Sequence, residues 1–183
     1  FPDLFTSAIL AQGASSKDTS ADDPLQVAMS TILQEGAVIA QALRSGNEVP
    51  GPSNGAGDTT GCVLKDGQVI TPKGFKEAWR KLYELGLPNF MVELEEGGFQ
   101  GPQSVNVMLG ELQSGANTSF MMYPALTHGA LELIETFALP AEKKRFVEPM
   151  LNGRFSGTMC LSEPQAGSDV GMASTKAVRI EGS

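Results

Sequence analysis

An apolar run that ends in a hydroxyl and a tight polar turn has the clearest capacity for chemistry in this sequence: Met159-Cys160-Leu161-Ser162-Glu163-Pro164-Gln165-Ala166-Gly167-Ser168-Asp169-Val170. A strand running into Ser-Glu-Pro and then Ala-Gly-Ser-Asp places the Ser162 hydroxyl at the strand end. It also frees backbone N–H groups in the turn behind it. Such a turn can hold the carbonyl oxygens of a heterocycle and the oxygens of a pyrophosphate. An ordinary β-turn fits the same residues equally well, and from the residues alone both readings stay open.

Other constellations are bland. His128 is the only histidine, so a multi-histidine metal site is excluded, and no Cys or His spacing fits zinc. In a helix, a lone histidine is more often a packed or hydrogen-bonded structural residue. Ser168 sits in Ala-Gly-Ser-Asp-Val-Gly, which lacks the Gly-x-Ser-x-Gly order of a nucleophile elbow. Gly55-Ala56-Gly57 has half of a dinucleotide fingerprint, but no strand leads into it and no helix follows closely, so it reads as loop. Glu93, Glu95 and Glu96 read as a solvated face before a glycine turn rather than as paired catalytic carboxylates. No catalytic residue and no metal ligand is therefore assigned within the chain.

The elements that must position the Met159–Val170 segment are mostly helical. Asp23-Pro24 supplies a cap and a proline at the first helical position. From there the spacing of Leu25, Met29, Ile32, Leu33, Val38 and Ile39 predicts a helix over 22–43, weakened at Gly36. Turn formers crowd residues 44–61, which predicts a loop. Residues 62–70 read as a hairpin around Lys65-Asp66-Gly67. Helices are predicted over 71–85, with Phe75, Trp79, Leu82 and Tyr83 on one stripe, and over 101–112. Two more follow, over 120–137 behind an Asn117-Thr118-Ser119 cap and over 141–151, where Lys143, Lys144 and Arg145 are expected to be exposed. Residues 87–101 are expected to be irregular. After Gly153 the texture changes, and strands are predicted over 154–161 and 173–180 with a turn-rich loop between. Two strands alone are marginal, so the chain reads as stopping inside a domain.

Composition narrows the function classes. Hydrophobic residues make up 41% of the 183, enough for a globular core. Lys and Arg number 13 against 21 Asp and Glu, a net charge of -8, which argues against a nucleic-acid or membrane-surface partner. No apolar run approaches the ~20 residues of a membrane span. Phe1 to Leu10 has no basic region and does not read as a secretory signal; the first residue is not Met, so residues upstream are expected. Two distant cysteines, Cys62 and Cys160, suit a reduced intracellular protein better than a disulfide scaffold.

The Cys160 to Asp169 stretch resembles the signature of the acyl-CoA dehydrogenase family, Cys-(Leu or Val)-(Thr or Ser)-Glu-Pro-x-Ala-Gly-Ser-Asp. Gly86-Leu87-Pro88 followed by Glu95-Glu96-Gly97-Gly98 is similar to the family's helical segment ending in a Glu-x-Gly-Gly turn. Residues 120–137 and 143–153 are similar to its two helices before the β-domain, and 62–79 resembles an extension in the 3-methylmercaptopropionyl-CoA dehydrogenase-like branch. The resemblance covers most of the chain from about Gly61 onward.

It implies a mainly α fold, an acyl-CoA dehydrogenase-like N-terminal helical domain followed by the first strands of a middle β-barrel domain. The expected division is 1–61 as an N-terminal extension, 62–152 as the helical domain and 153–183 as the beginning of the β-domain. It also implies FAD as cofactor, α,β-dehydrogenation of an acyl-CoA thioester, and a fatty-acid-metabolic role. Met159, Leu161 and Ser162 would lie along the flavin, and Gly167 and Ser168 would meet pyrophosphate oxygens of FAD or of the thioester. Met121, Met122, Ala125 and Gly129 would line the acyl pocket, although an apolar helix face is more often simply core. The family's second flavin strand and its catalytic glutamate match nothing in the chain, so the fragment is expected to be inactive alone. Further implications are an electron-transfer flavoprotein as acceptor, homo-oligomers of the full-length protein, and a cytoplasmic or mitochondrial-matrix location. An acyl-CoA oxidase-like flavoprotein and a naturally short, non-catalytic binding module are the alternatives.

Overall fold

The computed structural model describes residues 24–180. The expected Asp23 cap and the Phe1 to Leu10 stretch lie outside them. The elements in chain order are α1 (Pro24–Glu48), a 3-10 turn (Gly51–Ser53), α2 (Asn54–Thr60), β1 (Val63–Lys65), β2 (Gln68–Ile70) and α3 (Phe75–Glu84). Two further 3-10 turns, Leu87–Asn89 and Leu94–Glu96, lead to α4 (Gln103–Ala116), α5 (Thr118–Phe137) and α6 (Pro140–Leu151). A last 3-10 turn covers Val170–Met172.

The core is built where α1, α3, α4 and α5 converge. Val38, Ala42, Phe75, Ala78, Leu82, Val105, Leu109 and Phe120 form its main cluster. Phe75 meets Phe120 edge to face at 5.5 Å between centroids and Tyr123 at 6.1 Å, the arrangement that aligns ring edges with the faces of their neighbours. The core takes side chains from the second half of α1. Val38 and Ala42 are inside, while Ile32 and Leu33 are 67% and 71% exposed. A second cluster of Val92, Leu131, Met150 and Leu151 seats α6 on α5.

Buried amides knit these helices together. Asn117 caps α5 by accepting from the Phe120 N–H at 3.0 Å, and its Nδ2 donates to the Pro50 carbonyl at 3.0 Å. Gln113 Nε2 donates to the Ala42 carbonyl and, at 2.8 Å, to Ser45 Oγ. These bonds explain the first correction: residues 44–61 are not a loop. α1 runs on to Glu48, and Pro50 to Thr60 coil into a 3-10 turn and α2. Buried Pro50 and Ser53 are held by Asn117 from far along the chain, so tertiary contacts override weak local propensity.

The hairpin forms as read. Val63 pairs with Ile70 and Leu64 with Val69, antiparallel. Its turn residues Asp66 and Gly67 have φ of 52° and 74°, the double left-handed geometry of a type I′ turn.

The second correction concerns the carboxyl-terminal part. Residues 154–161 and 173–180 form no strands. The single antiparallel bridge, between Glu163 and Ala166, lies in the turn between them. Strands exist only through hydrogen bonds to neighbours, and among the described residues no third or fourth strand offers itself. Smaller shifts follow from capping. α3 begins at Phe75 rather than Thr71, and α4 spans Gln103–Ala116. Lys144 and Arg145 are exposed, whereas Lys143 is half-buried.

Candidate functional site

Two surfaces meet along α5. The first is a groove of about 270 Å³ between α5, α4 and the Leu87–Asn89 turn. Its apolar lining includes Leu82, Leu87, Met91 and Leu109, with Met121, Pro124 and Ala125 from α5. His128 closes that face and lies 3.3 Å from Glu132 one turn on. No Asp or Glu lines the groove. Of the four residues expected in an acyl pocket, Met121 and Ala125 line it. Met122 is 53% exposed and lies outside it. Gly129 faces elsewhere: a Cβ placed there would sit 3.8 Å from Met159 Cε. Helical spacing explains the split, because 121, 125 and 128 share one face while 122 and 129 are each turned by about 100° from a neighbour on that face.

The second surface is the segment that follows α6, which meets α5 at Gly157 and Met159. Trp79 Nε1 donates to the Gly153 carbonyl at 2.8 Å, and Asn89 Nδ2 donates to the Leu151 carbonyl at 2.7 Å. These bonds fix where the segment leaves α6. Gly157 N–H then donates to Thr127 Oγ1 of α5 at 3.0 Å. Beyond this, Met159 and Leu161 are 57% and 53% exposed, an apolar strip with Ser162 at its end. Among the described residues no hydrogen bond engages the Ser162 or Ser168 hydroxyl, nor the N–H of Gly167 or Ser168.

The turn behind Ser162 is organised by Glu163. Its carboxylate accepts from Ser174 N at 2.8 Å, Thr175 N at 2.9 Å and Ser174 Oγ at 3.1 Å, with Gln165 Nε2 as a further donor. The Thr175 side chain and the Ser174 and Thr175 backbone N–H groups hold the carboxyl down from its ordinary 4.5 to about 2. Across the turn, Glu163 N donates to the Ala166 carbonyl at 2.8 Å and Ala166 N donates back at 3.1 Å. The loop is therefore pinned at its base while Gly167 and Ser168 stay free at its tip. A strip of exposed apolar side chains ending in a free hydroxyl, beside a tip with free N–H and O–H donors, fits a planar heterocycle carrying a pyrophosphate.

Sequence reasoning missed Thr127 and Gly157, the pair that joins the two surfaces. Both look unremarkable in sequence; a helical threonine and a glycine within a predicted strand carry no local signal. Among the described residues no group of three or more His, Cys, Asp or Glu could hold a metal ion, and both Cys62 and Cys160 are free and exposed. Among the described residues no helix is long and apolar enough to cross a membrane.

Comparison with known proteins identifies the family. Residues 67–154 match the family described as acyl-CoA dehydrogenase, N-terminal domain. A 3-methylmercaptopropionyl-CoA dehydrogenase of Ruegeria pomeroyi is 35% identical over 131 residues, covering 72% of this chain and 22% of its own length. A butyryl-CoA dehydrogenase of Syntrophomonas wolfei is 40% identical over 129 residues, 68% of this chain and 21% of its own length. A broad-specificity linear acyl-CoA dehydrogenase of Mycobacterium tuberculosis is 35% identical over 115 residues, 63% of this chain and 18% of its own length. The chain thus spans about a fifth of the length of the curated relatives it matches.

Proposed function

This chain belongs to the acyl-CoA dehydrogenase family, and from that premise we propose that it forms the helical part and first flavin-holding segment of an FAD-dependent enzyme. The reaction is α,β-dehydrogenation of an acyl-CoA thioester. One observation carries the reading: an apolar groove on one face of α5 lies beside a segment, bonded to the same helix, that presents free Ser162 and Ser168 hydroxyls. In this proposal residues 62–152 form the helical domain, 153–183 open a β-domain, and 1–61 precede both.

FAD, when bound, supplies the hydride acceptor. Met159 and Leu161 would lie along its flat ring, and the Ser162 hydroxyl would donate to a ring oxygen. Gly167 and Ser168 would offer donors to pyrophosphate oxygens, on a turn that Glu163 holds rigid. Met121 and Ala125 would set the depth of the acyl groove, with Met122 on the outward side of the helix and Gly129 beside the flavin segment. Since no carboxylate lines the groove, removal of the α proton is assigned to a group outside this chain. An electron-transfer flavoprotein as acceptor and a homo-oligomeric assembly complete the proposal.

The test is direct. The complete protein carrying this sequence should purify with FAD, and its flavin should bleach when acyl-CoA thioesters are added anaerobically. A protein that takes up no FAD, or a flavin that stays oxidised across a panel of chain lengths, overturns the reading.

A further inference from the structure

One hydrogen bond ties the candidate acyl helix to the candidate flavin segment. Thr127 lies on the buried stripe of α5 and is 3% exposed. Its hydroxyl donates to the Tyr123 carbonyl at 2.8 Å and accepts from Gly157 N–H at 3.0 Å. A hydroxyl has one proton, so commitment to Tyr123 fixes the direction of the lone pair that Gly157 meets. Among the described residues no other hydrogen bond joins α5 to residues 154–179.

The approach at this point is as close as a backbone allows. A Cβ at Gly157 would stand 2.4 Å from Ala130 Cβ and 3.2 Å from Thr127 Cα, so the residue must be glycine for contact rather than for φ. Two residues on, Met159 Cε reaches to within 3.8 Å of where a Gly129 Cβ would be. The groove residues Met121 and Ala125 belong to the same rigid helix. The distance between groove and flavin segment is therefore set at Thr127 and Gly157.

We propose, resting on the function given above, that Thr127 is a positioning residue that sets the spacing between the acyl chain on α5 and the flavin on the Met159–Ser162 segment. Thr127 touches neither ligand and acts through Gly157. The requirement is steep, because reacting atoms must sit about 3–3.5 Å apart and a misplacement of ~1 Å can cost on the order of a hundredfold in rate. Gly157 serves the same end by letting the segment close on the helix.

Thr127→Val keeps the side-chain shape and removes both halves of the bond. In the chain itself, hydrogen exchange at the Gly157 amide should accelerate by about tenfold or more, with the amides of α4 unchanged, because the group loses its acceptor. Thr127→Ser should restore protection. In the complete protein, Thr127→Val should retain FAD while kcat falls roughly tenfold and KM moves little, a fraction of the loss that full misplacement can cause. The absorption of the ligand-bound flavin should shift in the same variant, and Thr127→Ser should recover rate and spectrum together. Unchanged Gly157 exchange would mean the bond is not made and would overturn the proposal. So would faster exchange with native kcat and spectrum, which would leave Thr127 a merely structural residue. A wild-type protein without FAD or turnover sinks the functional reading and this proposal with it, whereas an active wild type with an indistinguishable Thr127→Val sinks only the proposal.

Discussion

Glu163 shows how one side chain can replace a missing strand ladder. It gathers donors from Ser174 and Thr175, eleven and twelve residues on, and so closes a turn that has only one backbone bridge. Because its folded-state value is depressed to about 2, the stabilisation is present above the ordinary carboxylate range and is lost as pH falls from about 4.5 through 2. We expect the Ser174 and Thr175 amide resonances to titrate with a midpoint near 2, measured by NMR. Midpoints near 4.5 would show that the carboxylate does not make these bonds. The neighbouring Ser162 hydroxyl has no partner among the described residues, so Ser162→Ala should leave folding unchanged. In the complete protein it should weaken FAD binding about fivefold, the equivalent of roughly 1 kcal/mol for one hydrogen bond to a heterocycle oxygen. Isothermal titration of the apoprotein with FAD checks this.

At the scale of elements, α5 is held by its first residue and strained by its middle. Asn117 is 1% exposed and satisfies four groups, the Phe120 N–H, the Ser119 hydroxyl, the Pro50 carbonyl and Ser53 Oγ. Asn117→Ala removes the cap and leaves a buried carbonyl without a donor, which should cost about 2–3 kcal/mol in denaturant unfolding. A loss below half of that would mean water replaces the amide. Pro124 sits inside the same helix with no N–H to donate, so the i→i−4 bond to the Phe120 carbonyl is not made there. Farther along, Glu135 is pushed up by burial and by the nearby Glu96 carboxylate, and its buried Oε1 has no donor. Its charged form is therefore destabilising at neutral pH, and the strain is relieved as pH falls through its raised value. Glu135→Gln should raise Tm at pH 7 and make little difference at pH 4; equal effects at both would refute the charge argument.

Across the whole molecule, order and exposure are unevenly shared. The convergence of α1, α3, α4 and α5 buries a continuous core, whereas the last part of the described chain shows Met159, Leu161, Met172, Val178 and Ile180 at 53–82% exposure. Apolar surface of this extent marks an interaction face, and the family relationship points to the rest of a β-domain as its cover. Hydrogen exchange should divide accordingly. In this chain α4 and the middle of α5 should exchange slowest, and residues 158–180 fast except where Glu163 holds Ser174 and Thr175. In the complete protein the same stretch should become protected. Fast exchange there in both would mean that nothing packs on the strip.

The sequence by itself determined the elements whose signals are local. Asn117 at a cap, Asp66-Gly67 between two apolar triplets, and the apolar stripe of α3 each encode their structure within a few residues. It also carried the Cys160 to Asp169 signature and so the family. Three things needed the tertiary structure. The helical state of residues 50–60 depends on Asn117, far along the chain, which holds a segment that glycines and prolines would otherwise leave as loop. The strands read at 154–161 and 173–180 failed because a strand's hydrogen bonds belong to its neighbours, which the described residues do not include. And the division of α5 into a groove face at Met121 and Ala125 and a segment face at Thr127 and Ala130 follows from what packs on each side. Helical periodicity places residues on faces, but only the neighbours decide what each face touches.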